Sequence, residues 1–402
     1  MGDPSRVRVS GPLEPFASGF AMELARQGFT ANSAGLQLGV VAHLSRWLAA
    51  GDLGVEALDD VIVERFCEAR RDAGYTAFLT PRTLVHLLGY LRGLGIIAPA
   101  STPGVDGPDG ELLEQFRVHL VVERGLAGDV VTSYLHVIGP FVQHVWRPGG
   151  IGLERLDGPA VITFVVDHVA VLSPKVASLT LTVMRSLLRW LHLEGRIETP
   201  LADVIPSVFS PRLAALPKRL EPYQVERLLG SCDTKSVTGV RDLAILTLLA
   251  RLGVRACEVA GLCLDDIDWR RGEIVVRGKG RAQRLPLPID VGETIVAYLQ
   301  HGRPDSAQGR AVFVRIKAPH RALTSARVSG IVADAARRAG LGLVHAHRLR
   351  HTTASEVLRA GGSLPEVGQL LGHRRAGTTA IYAKVDRERL REIARPWPGS
   401  TR

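Results

Sequence analysis

Six polar side chains in the second half of this 402-residue chain combine residue types that can cleave a phosphodiester. Arginine binds the non-bridging phosphate oxygens and stabilises the charge that they gain in the transition state. A lysine can protonate the departing 5′ oxygen, and a histidine can move the attacking group's proton because its pKa lies near neutrality. A tyrosine is a usable nucleophile when nearby cations lower the pKa of its phenol. The six residues are Arg255, Lys279, His347, Arg350, His373 and Tyr382.

Two predicted elements position the first arginine and the lysine. The apolar run Arg241–Leu252 predicts a buried helix, and Arg255 follows shortly after its end. Residues 274–276 and 284–288 read as strands around Gly278-Lys279-Gly280, a glycine-containing turn. The sequence therefore predicts a β-hairpin with Lys279 at its tip.

The remaining candidates follow in a series of short helices. His347 and Arg350 are three residues apart in a helix predicted over 346–360, so they share a face. An S-x-x-E capping box at 363–366 predicts a short helix that stops directly before His373.

A last short helix is predicted around Tyr382. Thr378 or Thr379 can act as its N-cap, because a threonine hydroxyl accepts a backbone N–H at that position.

Basic residues are concentrated in the second half of the chain. Residues 1–210 carry 17 basic and 22 acidic side chains, net −5, whereas residues 211–402 carry 33 and 18, net +15. Arginine supplies 44 of the 50 basic residues and suits bidentate phosphate contacts. A surplus confined to one half predicts a polyanion partner for that half.

The remaining composition indicates a globular protein of the cytoplasm. Apolar residues make up 46% and charged residues 22%, which excludes wholesale disorder. The N-terminus has no apolar stretch of a signal peptide, and no apolar run is long enough to cross a bilayer. The four cysteines include no CxxC pair and are expected to be reduced thiols.

Two stretches rich in proline and glycine, at 98–110 and 206–222, divide the chain. We expect an additional N-terminal helical domain over 12–100, a second helical domain over 111–205 and a mixed α/β domain over 211–402. The predicted fold class is therefore mainly α, with a small β-sheet in the C-terminal domain.

The two helical segments resemble each other, which suggests a duplication. Nine positions align with an offset that drifts only from 96 to 100 residues. The pairs are Phe20 and Phe116, Gly28 and Gly125, Leu58 and Leu156, Phe66 and Phe164, Leu87 and Leu187, Leu88 and Leu188, Leu91 and Leu191, Gly95 and Gly195, and Ile97 and Ile197.

Five short boxes follow one another along the second half of the chain: Arg255-Ala256-Cys257-Glu258, Gly278-Lys279-Gly280, His347-Arg348-Leu349-Arg350-His351, Leu371-Gly372-His373 and Thr378-Thr379-Ala380-Ile381-Tyr382. In order and spacing they resemble the boxes of the tyrosine recombinases, the phage-integrase family. The resemblance covers about 211–385 and implies a tyrosine-recombinase catalytic domain, Xer-like in length. It extends more loosely over 111–205, which is similar to the family's helical, SAM-like core-binding domain.

The resemblance implies a role for each candidate. Arg255 and Arg350 would clamp the scissile phosphate. Lys279 would act as general acid toward the 5′ oxygen. Tyr382 would attack and become a 3′-phosphotyrosyl link.

Three further roles follow from the same boxes. His347 would assist proton transfer, and His373 would hydrogen-bond the phosphate. Glu258 is expected to orient its neighbours, and His351 to be a structural neighbour in its helix.

The implied activity is site-specific DNA strand transfer without metal, ATP or other cofactor. Two rounds of exchange would pass through a Holliday junction in integration, excision, resolution or transposition. The expected partners are double-stranded DNA and further copies of the chain, from a dimer to a synaptic tetramer, with or without partner recombinases. The expected location is the cytoplasm, at the nucleoid when bound to DNA, without membrane attachment.

Several alternatives stay open at this point. A relaxing type IB topoisomerase uses similar residue types, and an idle DNA-binding subunit would keep the fold without the reaction. A zinc site at His347 and His351 is disfavoured because Arg350 on the same face would repel a dication. The segment 12–100 is expected either to bind DNA outside the core site or to mediate contacts between protomers. The tail 386–402 is expected to dock on a neighbouring protomer.

Overall fold

The computed structural model describes residues 7–99, 108–126, 128–146, 152–206, 219–278 and 281–373, together with Thr379 and Tyr382. Lys279, most of both predicted linkers and the tail 386–402 lie outside the described residues. The chain divides into two compact units, residues 1–97 with 212–402 and residues 98–211. None of the helices in the described ranges has the length and apolar character that a bilayer crossing requires.

The N-terminal part of the first unit consists of helices around their own apolar core. Thr30 and Asp59 begin two of them as N-caps, since their side-chain oxygens accept the backbone N–H groups of Ser33 and Ile62. The helices are α1 (Glu14–Arg26), α2 (Ala31–Ala50), α3 (Asp60–Asp72) and α4 (Val85–Gly93).

This N-terminal part contacts a later loop of the same unit. Arg26 donates from Nη1 to Oε1 of Gln308 at 3.2 Å. Gly28 has φ +84°, and a Cβ there would lie 2.4 Å from Cδ2 of His320. Glycine therefore allows close approach at this contact.

The second unit is a helical domain with a separate apolar core. Asp157 caps one helix by accepting the Ala160 backbone N–H at 2.8 Å, and that helix continues into a π-helical turn at Val165–Val169. Its helices are α5 (Pro108–Val122), α6 (Gly128–Trp146), α7 (Gly158–Phe164) and α8 (Pro174–Leu193).

The aligned positions of the two helical segments have matching structural states. All seven apolar pairs are buried in both segments. Gly28 and Gly125 both have positive φ, as do Gly95 and Gly195. This agreement supports the hypothesis of a duplication, since the same positions form each core and each left-handed turn.

The described part of residues 219–373 combines helices with a three-stranded antiparallel sheet in the order β1-β2-β3. The mainly helical fold with a small C-terminal sheet confirms the predicted fold class. The elements are α9 (Pro222–Gly230), α10 (Val237–Leu252), α11 (Ala256–Ala260), β1 (Ile267–Asp268), β2 (Glu273–Gly278), β3 (Arg281–Pro286), α12 (Ile289–His301), α13 (Ser325–Arg338), α14 (Ala346–Arg359) and α15 (Leu364–Leu370).

Helix α10 is the buried helix that the sequence predicted. Ser236 caps it by accepting the Gly239 backbone N–H at 3.1 Å, and its apolar side chains lie in the main core. Gly253 follows it with φ +60°, a left-handed conformation that favours glycine. The helix thus ends at a fixed point, two residues before Arg255.

Strands β2 and β3 form the predicted hairpin, with a shift in the bounds of the second strand. Gly278 pairs with Arg281 and Glu273 with Pro286, so β3 covers 281–286 and not 284–288. Pro286, the last paired residue, and Pro288 both lack a backbone N–H, so the ladder does not extend to residue 288. At the other end of the hairpin, β2 ends at Gly278 and β3 begins at Arg281, on either side of Lys279 and Gly280.

Candidate active site

Arg255 is held at the start of α11 by a carboxylate. Its backbone N–H donates to Oε2 of Glu258 at 2.8 Å, and its Nη1 donates to Oε1 at 2.6 Å. Glu258 is buried, whereas the Arg255 side chain is about 40% exposed. The carboxylate thus anchors one edge of a guanidinium that still reaches the surface, as expected for a residue that orients its neighbours.

The β-hairpin approaches the same carboxylate. A Cβ on Gly278 would lie 2.9 Å from Oε1 of Glu258, so glycine is needed where β2 passes this side chain. Lys279 is the next residue and lies outside the described part of the chain. The described backbone therefore brings the base of the lysine turn to the Arg255–Glu258 pair.

Arg350 is deeply buried on α14. Its Nη1 donates to the backbone oxygen of Gly253 at 2.7 Å, and its Nη2 donates to the backbone oxygen of Leu371. Burial, followed by the repulsion of Arg255, lowers the pKa of Arg350 to about 10. The guanidinium is thus charged at neutral pH and clamped between the ends of α10 and α15.

A C-terminal cap positions His373. Gly372 has φ +61°, the His373 backbone N–H donates to the oxygen of Gly368 at 2.9 Å, and the Gly372 N–H donates to that of Gln369 at 3.0 Å. These two bonds form a Schellman motif at the end of α15. The ring is held further by a 2.9 Å hydrogen bond between Nδ1 and Oγ1 of Thr379.

Gln283 on β3 fixes the same helix end from the other side. Its Nε2 donates to the backbone oxygens of Gln369 at 2.7 Å and Leu370 at 3.1 Å. These are among the last carbonyls of α15, where the helix has no further turn to supply N–H donors. The oxygen of Gln369 also accepts the Gly372 N–H. The side chain therefore joins the hairpin to the element that positions His373. Sequence reasoning missed this connection.

Tyr382 lies in a small apolar cluster and is 2% exposed. Its hydroxyl is 2.8 Å from Nδ1 of His351, and its ring lies nearly parallel to that of His373, with centroids 6.4 Å apart. The cluster around it contains Ala354, Leu358, Val367 and Leu371. The phenol is thus enclosed by α14, α15 and His373.

Burial raises the pKa of the Tyr382 phenol, and the charges of Arg350 and Arg255 only partly offset this rise. The two guanidinium groups do lower the pKa of Tyr382, but burial outweighs them, so the expected net lowering of this pKa is wrong. Desolvation penalises the phenolate more than the guanidinium groups stabilise it. At neutral pH the phenol carries its proton.

Two histidines beside the phenol, His351 and His373, are neutral at neutral pH. Burial, with the charges of His347 and Arg350, lowers the pKa of His351 to about 4. Burial, with Arg350 and Arg255, lowers the pKa of His373 to about 4. Neutral imidazoles can accept or donate hydrogen bonds here without adding to the positive charge.

His347 lies on α14 one turn before His351, with ring centroids 4.5 Å apart at 78°. Five of the six candidates, all but Lys279, thus belong to one region with His351 and Glu258. Sequence reasoning took His351 for a structural neighbour and missed its contact with Tyr382. The i,i+4 spacing from His347 was the signal, since it places both imidazoles on one face.

Within the described ranges, no three His, Cys, Asp or Glu side chains are grouped as a metal ion would require.

This arrangement contains the parts that phosphoryl transfer to a tyrosine needs: fixed guanidinium groups, neutral imidazoles and a phenol. Comparison with known proteins identifies the family. Residues 218–389 match the model of the phage integrase family. A protein of Sinorhizobium fredii named as an integrase/recombinase, y4rA, is 36% identical over 393 residues, which cover 97% of this chain and 95% of the relative.

The chain belongs to the phage integrase family of tyrosine recombinases.

Other members match over less of the chain. Tyrosine recombinase XerD of Mycobacterium tuberculosis is 34% identical over 307 residues, covering 72% of this chain and 96% of the relative. A solved structure of the XerH site-specific recombinase bound to difH substrate has a TM-score of 0.57 at 20% identity, covering 84% of this chain and 95% of that one. A λ integrase dimer has a TM-score of 0.53 at 16% identity, covering 71% and 98%. These two structures share the fold of a tyrosine recombinase.

Proposed function

We propose that this chain is a site-specific DNA recombinase that cuts and rejoins strands through a 3′-phosphotyrosyl intermediate. The observation that supports this most is the enclosure of Tyr382 by two histidines, with both guanidinium groups close enough to affect the pKa of its phenol. Guanidinium groups beside a nucleophile suit the charge that a phosphodiester gains during attack.

In this proposal, Oη of Tyr382 forms a bond to phosphorus while the bond from phosphorus to the 5′ oxygen breaks. Arg255 and Arg350 neutralise the non-bridging oxygens. Lys279 gives a proton to the leaving 5′ oxygen, His373 hydrogen-bonds the phosphate, and the phenol's proton leaves with the assistance of His347. The products are a 3′-phosphotyrosine and a free 5′ hydroxyl.

The covalent link conserves one phosphodiester bond, so rejoining is the same step in reverse with another strand's 5′ hydroxyl. The proposed reaction accordingly needs neither ATP nor metal. Two such exchanges join four strands through a Holliday junction.

Duplex DNA and further copies of this chain are the proposed partners. Related solved structures are described as a λ integrase dimer bound to a core site and a λ integrase tetramer bound to a Holliday junction. The net charge of +15 over residues 211–402 also suits a polyanion.

The test uses the full chain and a DNA duplex that contains its target site. The target site is first located by mapping where the chain protects a genomic DNA fragment. The duplex carries a nick one base from the cleavage point. Loss of the short released strand traps the intermediate. We expect a denaturation-resistant protein–DNA band with the wild type and none with Tyr382→Phe. Exchange between two duplexes identifies a recombinase, whereas relaxation of a supercoil without exchange identifies a topoisomerase. No covalent band with the wild type would overturn the proposal.

A further inference from the structure

The contact between His351 and Tyr382 is not explained by the roles proposed above. His351 is one helical turn beyond His347, and its Nδ1 is 2.8 Å from the Tyr382 hydroxyl. It is also closer to the phenol than His373 by ring centroids, at 5.4 Å against 6.4 Å. The nucleophile's reacting oxygen therefore has a specific polar partner before DNA arrives.

We propose that His351 is a positioning residue for the nucleophile: its Nδ1 accepts the hydroxyl hydrogen of Tyr382 and holds the phenol in one orientation. This inference rests on the proposed function, because it assumes that Tyr382 is the nucleophile. The hydrogen bond itself can be tested without any DNA.

The direction of the hydrogen bond follows from the charges around it. His351 faces His347 and Arg350 from its own helix, and Tyr382 and His373 from the next segments. A protonated imidazole is disfavoured beside Arg350, so His351 is neutral and has one ring nitrogen free to accept. The Tyr382 phenol keeps its proton and can donate it.

Burial makes this bond consequential. Tyr382 is 2% exposed, and a buried hydroxyl without a partner is costly. Without His351, the unpaired hydroxyl would favour rotation of the phenol toward other polar groups or water. A displacement of about 1 Å at a reacting atom can slow an enzymatic step by about 100-fold.

The position of Tyr382 in the protein without DNA also shields the phenol from solvent. Neighbouring apolar side chains of α14 and α15 cover the ring, while the hydrogen bond satisfies its only polar atom. DNA binding must expose Oη of Tyr382 for attack. The hydrogen bond to His351 then sets the orientation from which the phenol begins to move toward the phosphate.

Two substitutions separate hydrogen bonding from ring packing. His351→Asn keeps an acceptor near the position of Nδ1 but loses the ring. His351→Phe keeps an aromatic ring against His347 and Tyr382 but has no acceptor. Thermal melting of both full-length variants establishes that they fold.

The functional readout is the single-turnover rate of covalent complex formation on the nicked duplex. We expect His351→Phe to be slowed by about 10- to 100-fold at unchanged DNA affinity, and His351→Asn to recover most of the rate. A His351→Phe rate equal to the wild type, or a His351→Asn rate as low as that of His351→Phe, would overturn the proposal.

The structural readout is nitrogen NMR of the histidine rings in the full chain without DNA. The resonances of His351 are identified as those that are missing from the spectrum of His351→Asn. We expect an unprotonated Nδ1 and a protonated Nε2, with an Nδ1 resonance that moves in Tyr382→Phe. A protonated Nδ1, or no response to Tyr382→Phe, would contradict the proposed hydrogen bond. If the wild type forms no covalent complex, the proposed function fails, while this spectrum still decides the hydrogen bond.

Discussion

At the scale of single residues, burial dominates the electrostatics of the candidate site. Burial raises the pKa of Tyr382 and lowers the pKa values of His351 and His373 to about 4. Each shift favours the neutral form because burial penalises the charged form. The charge of Arg350 adds to the shift of both histidines and opposes that of Tyr382. At neutral pH the Tyr382 phenol is therefore protonated, and the imidazoles of His351 and His373 are uncharged.

The two lowered histidine pKa values predict how stability depends on pH. Unfolded histidine has a pKa of about 6.5, so between about 6.5 and 4 the unfolded state binds more protons than the folded state. The free energy of unfolding should thus fall as the pH drops through that window. Replacing both residues, in His351→Asn with His373→Asn, should flatten the dependence. Chemical denaturation at a series of pH values measures it, and an equal slope in the double variant would contradict the assignment.

The ion pair between Glu258 and Arg255 predicts a second effect. Glu258→Gln removes the charge that anchors the guanidinium while keeping the side chain's size. We expect covalent complex formation to slow by about tenfold or more with DNA affinity nearly unchanged.

The matched control for Glu258→Gln is Asp265→Asn, which loosens the ion pair of Asp265 with Arg310. Both partners of that pair are more than 60% exposed, and such pairs contribute little. Equal effects of Asp265→Asn and Glu258→Gln would indicate that burial of the carboxylate does not matter.

At the scale of elements, the site depends on where helices end. α10 ends at Gly253, whose oxygen accepts from Arg350, and α15 ends in the motif that positions His373. Gln283 joins the second of these ends to the hairpin. Backbone carbonyls released at helix ends thus hold both an arginine and a strand in place.

Gln283→Ala tests this connection between elements. The change removes two hydrogen bonds to the end of α15, so we expect a loss of stability of about 1 kcal/mol and slower covalent complex formation. Gln300→Ala, on an exposed face of α12, is the matched control and should leave both unchanged. Melting curves and the nicked duplex provide the measurements. A Gln283→Ala variant that cleaves as fast as the control would reject the connection.

The sequence predicted elements better than contacts. The apolar run that ends at Leu252 and the capping box at Ser363 correctly indicated one helix end and one helix start, because such signals act within one turn. The start of α10 was missed, since the prediction began at Arg241 and the helix begins at Val237 after its Ser236 cap. The contact of His351 with Tyr382 spans 31 residues, and that of Arg350 with Gly253 spans 97. Such contacts arise from tertiary packing, which no local pattern encodes.

At the scale of the whole molecule, the two similar helical segments differ in net charge from the rest of the chain. The two helical segments share buried positions and left-handed glycines, which supports a common origin. Their combined net charge differs in sign from that of the rest, at −5 for residues 1–210 against +15 for residues 211–402. The proposed DNA surface should therefore belong mainly to the basic half.

This asymmetry predicts a strong salt dependence of DNA binding by the full chain. Each phosphate neutralised by a cation releases counterions, so the logarithm of affinity should fall linearly with that of salt concentration, with a slope of about −5 or steeper. Fluorescence anisotropy with a labelled duplex measures the slope. A flat response would contradict a basic DNA surface.

The most direct test of the central claim is to locate the covalent attachment itself. The trapped complex is digested with nuclease and trypsin and examined by mass spectrometry. We predict a nucleotide on Tyr382 in the peptide over residues 376–384, although Tyr382 is buried and Tyr223 is 61% exposed. A nucleotide on Tyr223, or on any residue other than Tyr382, would contradict the account.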